Sequence, residues 1–178
     1  MLENLKLYAE IATGIAAVIA LIYTGVRYNE NRRTEKGKFL LQLKEAFSTN
    51  RRYKIHLRLR DRKRIRKWDR IDDYLGLFEV CNIMINNKSI EITDFVALYK
   101  YRLINLLYNN KVVFYKLVVA HRSYENFYQL LNMCFPEKRQ QINNLKQFAQ
   151  NIPDMNNITM GVIRNDFLPL WQELTLNL

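Results

Sequence analysis

The chain has 178 residues, 49% apolar and 12% aromatic, with 28 Lys and Arg against 17 Asp and Glu for a formal charge of +11. Intrinsic disorder is excluded, because disordered chains are poor in aromatic and branched aliphatic residues. Five glycines and three prolines also leave too little punctuation for a sandwich of short strands, so the expected class is all-α.

The charge is not spread evenly. Residues 1–26 carry one basic and two acidic residues, residues 27–70 carry 17 basic against 5 acidic, and residues 71–178 carry 10 of each. The excess therefore lies in one block directly after an apolar run. This divides the chain into an anchor at 1–28, a basic juxtamembrane helical segment at 29–67 and a helical bundle at 68–178. A bundle of about five to six helices is the expected architecture for the part beyond the anchor.

The apolar run, Leu7 to Val26, is twenty residues long, enough to cross roughly 30 Å of hydrocarbon at 1.5 Å per residue. Glu10 lies one turn inside its start, where a carboxylate reaches interfacial water at low cost. Tyr8, Tyr23 and Tyr28 fall near the two ends, as interfacial aromatics do. Basic residues follow the run, at Arg27, Arg32, Arg33, Lys36 and Lys38. That is the wrong polarity for a cleaved export signal, and by the positive-inside rule it places the N-terminus outside the cell membrane and the bulk of the chain in the cytosol. Ala12, Ala16, Ala20 and Thr24 recur every fourth residue, a stripe of small side chains through which two membrane helices could pack and the chain self-associate.

Beyond the anchor the pattern is helical. Phe39, Leu40, Leu43 and Phe47 have i, i+3/i+4 spacing. "YKIHLRLR" alternates apolar and basic residues, a strand-like period, but no partner strand is evident and a helix is expected. It lies in the dense basic run at 51–70, where Arg51, Arg52, Arg58, Arg60, Arg62, Lys63, Arg64, Arg66 and Lys67 are candidates for binding an anionic lipid surface, nucleic acid or a nucleotide. Tyr53 and Trp68 flank it as possible stacking groups.

Trp68, Ile71, Leu75, Phe78 and Ile85 then mark a helix with acids in its first turns, ended by "NNKS". Thr93 is placed to cap the next, whose apolar face holds Phe95, Leu98, Leu103, Leu106 and Leu107. Residues 111–135 are long enough for one helix of six or seven turns. Pro136 suits the first turn of the helix after it, which Pro153 would end. Phe167, Leu170, Trp171 and Leu174 predict a short amphipathic tail helix packing back on the bundle.

The stretches "RIDDYLGLFEVCNIMINNKSIEITDFVALYKYRLINLLY" and "HRSYENFYQLL" resemble a group of short bacterial single-pass membrane proteins known as a domain of unknown function. The shared features are the Phe78–Glu79 pair, the Ile90/Ile92 segment and the run from Tyr124 to Phe127, with Asn86 and Asn87 where that family carries a glycine. The resemblance spans residues 7 to 131. It implies an N-terminal membrane helix, a basic stretch and a helical domain, and it carries over no catalytic residue.

Chemistry is sparsely signalled. Cys81 and Cys134 sit in apolar runs without metal or redox spacing and read as buried free thiols, as suits a reducing cytosol. His121 and Glu125 share i, i+4 spacing but lack a third ligand, and Asp72 and Asp73 read as helix-dipole partners. No GxSxG, HExxH or phosphate-binding glycine loop is present. The expectation is a non-enzyme without cofactor or metal. Two functions stay open: a membrane-anchored scaffold that recruits a protein partner, or an oligomeric sensor-effector of the defence type that binds an anionic ligand through the arginine-rich segment.

Overall fold

A computed structural model describes residues 27, 31, 34–152 and 160–178. The chain forms two compact units, Met1–Gln42 and Leu43–Leu178. The expected membrane span at 7–26 and its stripe of Ala12, Ala16, Ala20 and Thr24 lie outside the described residues, as does Pro153. Among the described residues no helix is long and apolar enough to cross a membrane. In the first unit, residues 34–42 are helical.

The second unit is all-helical among its described residues. The helical run α1 (43–48) contributes Leu43 and Phe47, both buried, and α2 (Asn50–Arg60) follows after Thr49. The alternating "YKIHLRLR" is helix, as expected. Ile55 and Leu59, four residues apart, are buried against α3 and α4, whereas Tyr53 stays 47% exposed. Since α2 packs within this unit, most of the basic segment belongs to the bundle.

α2 ends in a Schellman turn. Lys63 N–H donates to the Arg58 carbonyl (2.8 Å) and Arg62 N–H to that of Leu59 (3.1 Å), with Arg62 in the left-handed region at φ 52°. Glycine is the usual residue there, because a Cβ costs about 1 kcal/mol or more in that conformation. α3 (Asp69–Asn86) ends in the same way on Lys88 (φ 58°), whose neighbour Ser89 donates to the Met84 carbonyl at 2.9 Å. The turn that lacks glycine is thus built with lysine in the glycine position.

α3 turns Ile71, Tyr74, Leu75, Phe78 and Cys81 inward. Phe78 is the hub of the core: its ring centroid lies 5.0 Å from Phe47, 5.2 Å from Tyr74, 5.8 Å from Phe127 and 6.4 Å from Phe95. α4 (Ile92–Leu107) buries Phe95, Tyr99, Leu103, Leu106 and Leu107, while Leu98 is 47% exposed. Its N-cap is Glu91 rather than Thr93. Thr93 lies inside the first turn, and its hydroxyl turns back to the Glu91 carboxylate at 3.5 Å.

The long helix expected over 111–135 is broken. A short α5 (Asn110–Val112), capped by the Asn109 side chain on the Val112 N–H (3.1 Å), runs into a π-helix at Val113–Val119, a 3₁₀ turn at His121–Tyr124 and then α6 (Glu125–Cys134). Val113, Phe114, Leu117 and Val118, spaced i, i+1, i+4 and i+5, all reach the core from the π turn. Ala120 then leaves helical geometry (φ −99°, ψ 27°). The Tyr128 hydroxyl donates to the Leu117 carbonyl at 2.6 Å, satisfying a group near the break.

Pro136 opens a separate 3₁₀ turn, Pro136–Lys138, before α7 (Arg139–Gln150). The tail is α8 (Met160–Thr175), which carries Pro169 and packs on α7 and the π-helix. Phe167 meets Phe114 at 5.2 Å, and the Trp171 Nε1 donates to the Leu107 carbonyl at 2.7 Å.

Candidate functional site

The loop 61–68 between α2 and α3 carries Arg62, Lys63, Arg64, Arg66 and Lys67 around one buried apolar residue, Ile65 (8% exposed). Ile65 pins the middle of the loop to the bundle, so the cations around it divide between two hollows. Three hydrogen bonds add rigidity: the two of the Schellman turn at its start, and that of the Arg58 Nη1 reaching across to the Arg64 carbonyl at 3.2 Å.

The first hollow has a volume of about 440 Å³. Arg62, Lys63 and Arg64 line it from the loop and Lys111 from α5, together with Trp68, Tyr108 and Trp171. The Arg62 guanidinium lies 5.3 Å from the Tyr108 ring centroid, a cation–π contact. Trp68 stands edge-on to Tyr115 at 5.4 Å, and the Lys116 ammonium lies 5.8 Å from its ring. The second hollow, about 240 Å³, is lined by Ile55 with Arg58, Arg66, Lys67 and Arg70.

Few acids oppose this charge. Asp61 takes Arg60 at 3.0 Å and Lys63 at 3.1 Å, and these two hydrogen-bonded cations hold its carboxyl below the usual carboxylate range. Among the described residues no ion pair engages Arg58, Arg62, Arg64, Arg66, Lys67, Arg70 or Lys111. Cations crowded without counter-charges repel one another, and a bound anion relieves that repulsion.

The predicted binding residues are thus sorted. Arg58, Arg62, Lys63, Arg64, Arg66 and Lys67 line the hollows, while Arg60 is held by Asp61. Arg51 and Arg52 stand at the other end of α2, where the Arg52 Nη1 donates to the Ala46 carbonyl at 3.2 Å. Of the two proposed stacking groups, Trp68 lines the aromatic hollow and Tyr53 lines neither. Tyr108, Lys111 and Trp171 were missed, because they are 40 or more residues from the loop in sequence and no local pattern links them to it. Arg70 closes the basic run and was the one legible addition.

The other sequence candidates resolve simply. His121 does not pair with Glu125: its Nδ1 lies 3.2 Å from the Val118 carbonyl, and Glu125 takes the Lys146 ammonium. Asp72, in the first turn of α3, accepts from Tyr124 and pairs with Lys116, each at 2.5 Å. No group of three metal-ligating side chains occurs among the described residues. Both cysteines are buried, which pushes each thiol up to about 12.

A buried polar cluster joins α2 to α4. Arg102 is 7% exposed, with its Nε on the Tyr101 hydroxyl (3.0 Å) and its guanidinium over the Phe47 ring (5.1 Å). His56, 5% exposed and edge-on to Tyr101, is pushed down to about 4 by burial first and then by Arg102 and Arg60. It is therefore a neutral imidazole at physiological pH.

No protein-family model matches the chain, and no curated protein or solved structure matches it either.

Proposed function

We propose that this chain is a membrane-anchored, non-enzymatic binding protein that recognises a phosphate-bearing anion at the loop 61–68. In this reading residues 7–26 span the cell membrane, the N-terminus lies outside and the bundle lies in the cytosol. The stripe of Ala12, Ala16, Ala20 and Thr24 gives the membrane helices a face for homo-oligomerisation. A ligand held near the membrane by several copies then biases how their anchors pack, which is the logic of a sensor-effector.

The observation that carries the proposal is the pair of cation-lined hollows on either side of a pinned loop, with Arg58, Arg62, Arg64, Arg66, Lys67, Arg70 and Lys111 in no ion pair among the described residues. A merely solvated basic face would not need an apolar anchor at Ile65. The scaffold reading draws on a different feature. Val80 and Ile83 on α3 are each 48% exposed, and Leu98 and Tyr101 on α4 each 47%, apolar side chains open to a protein partner.

The test is calorimetric titration of the full-length chain in non-ionic detergent with inorganic tripolyphosphate, set beside binding to vesicles with and without anionic lipid. Replacing Arg58, Arg60, Arg64 and Arg66 together by Glu abolishes tripolyphosphate binding. Arg62→Gly weakens it while leaving the fold as stable or about 0.5–1 kcal/mol more stable, since glycine suits the left-handed turn. Unchanged affinity in the four-fold variant refutes the proposal. Binding to anionic vesicles with none to tripolyphosphate assigns the charge to headgroups instead.

A further inference from the structure

The two hollows share one loop and one charge sign but differ in chemistry. The smaller offers Arg58, Arg66, Lys67 and Arg70 with no aromatic ring, which suits a bare phosphate or a headgroup. The larger adds three aromatic rings from three separate parts of the chain: Trp68 before α3, Tyr108 after α4 and Trp171 in α8. A simple anion has no use for such rings. Resting on the anion-binding reading above, we propose that the larger hollow takes a nucleotide, with its base against the aromatic side chains and its phosphates on Arg62, Arg64 and Lys111.

The rings are fixed before any ligand arrives. Trp171 is held by its hydrogen bond to the Leu107 carbonyl (2.7 Å), Tyr108 by its hydroxyl on the Leu178 carbonyl (3.3 Å), and Trp68 by its edge contact with Tyr115. Preorganised groups lose little freedom on binding, so their contacts count almost fully toward affinity. The volume of about 440 Å³ falls within the roughly 300–1,000 Å³ usual for small-molecule sites. The arrangement favours a mononucleotide over a nucleic-acid strand. A strand is bound on successive stacking platforms along a groove, whereas these rings gather in a single hollow and the neighbouring hollow has none.

Titrations of the full-length chain in detergent with ATP, GTP, tripolyphosphate and a short RNA oligomer test this, read by calorimetry and by quenching of tryptophan fluorescence. One stacked base makes a nucleoside triphosphate bind about fivefold to about 150-fold more tightly than tripolyphosphate. Trp68→Ala removes that excess and leaves the tripolyphosphate affinity in place. Should Trp68→Ala lose its helical circular dichroism, Tyr108→Leu replaces it with the same expectation. Equal affinity for nucleotide and tripolyphosphate overturns the nucleotide assignment and leaves the anion reading standing. Absence of binding to either overturns both. RNA bound without any mononucleotide binding overturns the assignment in favour of a strand.

Discussion

His56 makes the bundle sensitive to mild acid. Its ring is 5% exposed and faces Arg102 from α4, Arg60 and Asp61 from its own end of the chain, and the Tyr101 ring. Burial and the two arginines lower its pKa from 6.5 to about 4, so the folded protein resists a proton that the unfolded chain accepts. The sign follows. The stability due to the neutral ring is fully present above about pH 6.5 and is lost as pH falls from there toward 4. At about 1.4 kcal/mol per unit, the 1.5 units between pH 6.5 and pH 5 set a ceiling of about 2 kcal/mol, and water at the loop side screens this to about 1–2 kcal/mol. Asp61 and Glu137 are both held below the usual carboxylate range by hydrogen bonds, and burial pushes Glu79 up, so the comparison with a variant lacking the imidazole isolates His56. Guanidinium unfolding in detergent, followed by tryptophan fluorescence at about pH 7.5 and about pH 5, should show the wild type losing that amount and His56→Gln losing little. Equal losses in the two proteins, or none in the wild type, refute the account of His56.

Phe78→Ala removes the hub of the aromatic cluster and should cost about 3–5 kcal/mol, against less than about 0.5 kcal/mol for Val80→Ser on the exposed face of the same helix; denaturant midpoints read both. With their thiols buried and pushed up to about 12, Cys81 and Cys134 should resist iodoacetamide at mildly alkaline pH until denaturant is added, and fast labelling of the native protein would show that this part of the core opens.

Helix positions were largely legible because their signals are local. The periodicity of Ile71, Leu75 and Phe78 gave α3, the amphipathic tail gave α8, and even the strand-like "YKIHLRLR" was readable as helix once no partner strand could be found. The errors fell where a tertiary demand overrode local preference. Residues 111–135 read as one helix, but the chain takes a π turn at Val113–Val119 and breaks at Ala120 before α6, which no local pattern signals. Thr93 is a good capping residue two positions too late, because the chain leaves its extended conformation at Glu91. A basic run can be counted from sequence. Which cations stay unpaired cannot, since that depends on where Asp61 points and which carboxylates lie near.

By itself the sequence determined the all-helical class, the confinement of the excess positive charge to residues 27–70 and the burial of both thiols, all of which follow from composition and short-range spacing. Only the tertiary structure decided that Ile65 pins the basic loop, that Arg102 and His56 share a buried cluster, and that Lys111 and Trp171 meet Trp68 around one hollow. The physical reason is range. Helix periodicity and charge density act over a few residues, whereas a concave site exists only once helices distant in the chain have packed and left a space between them.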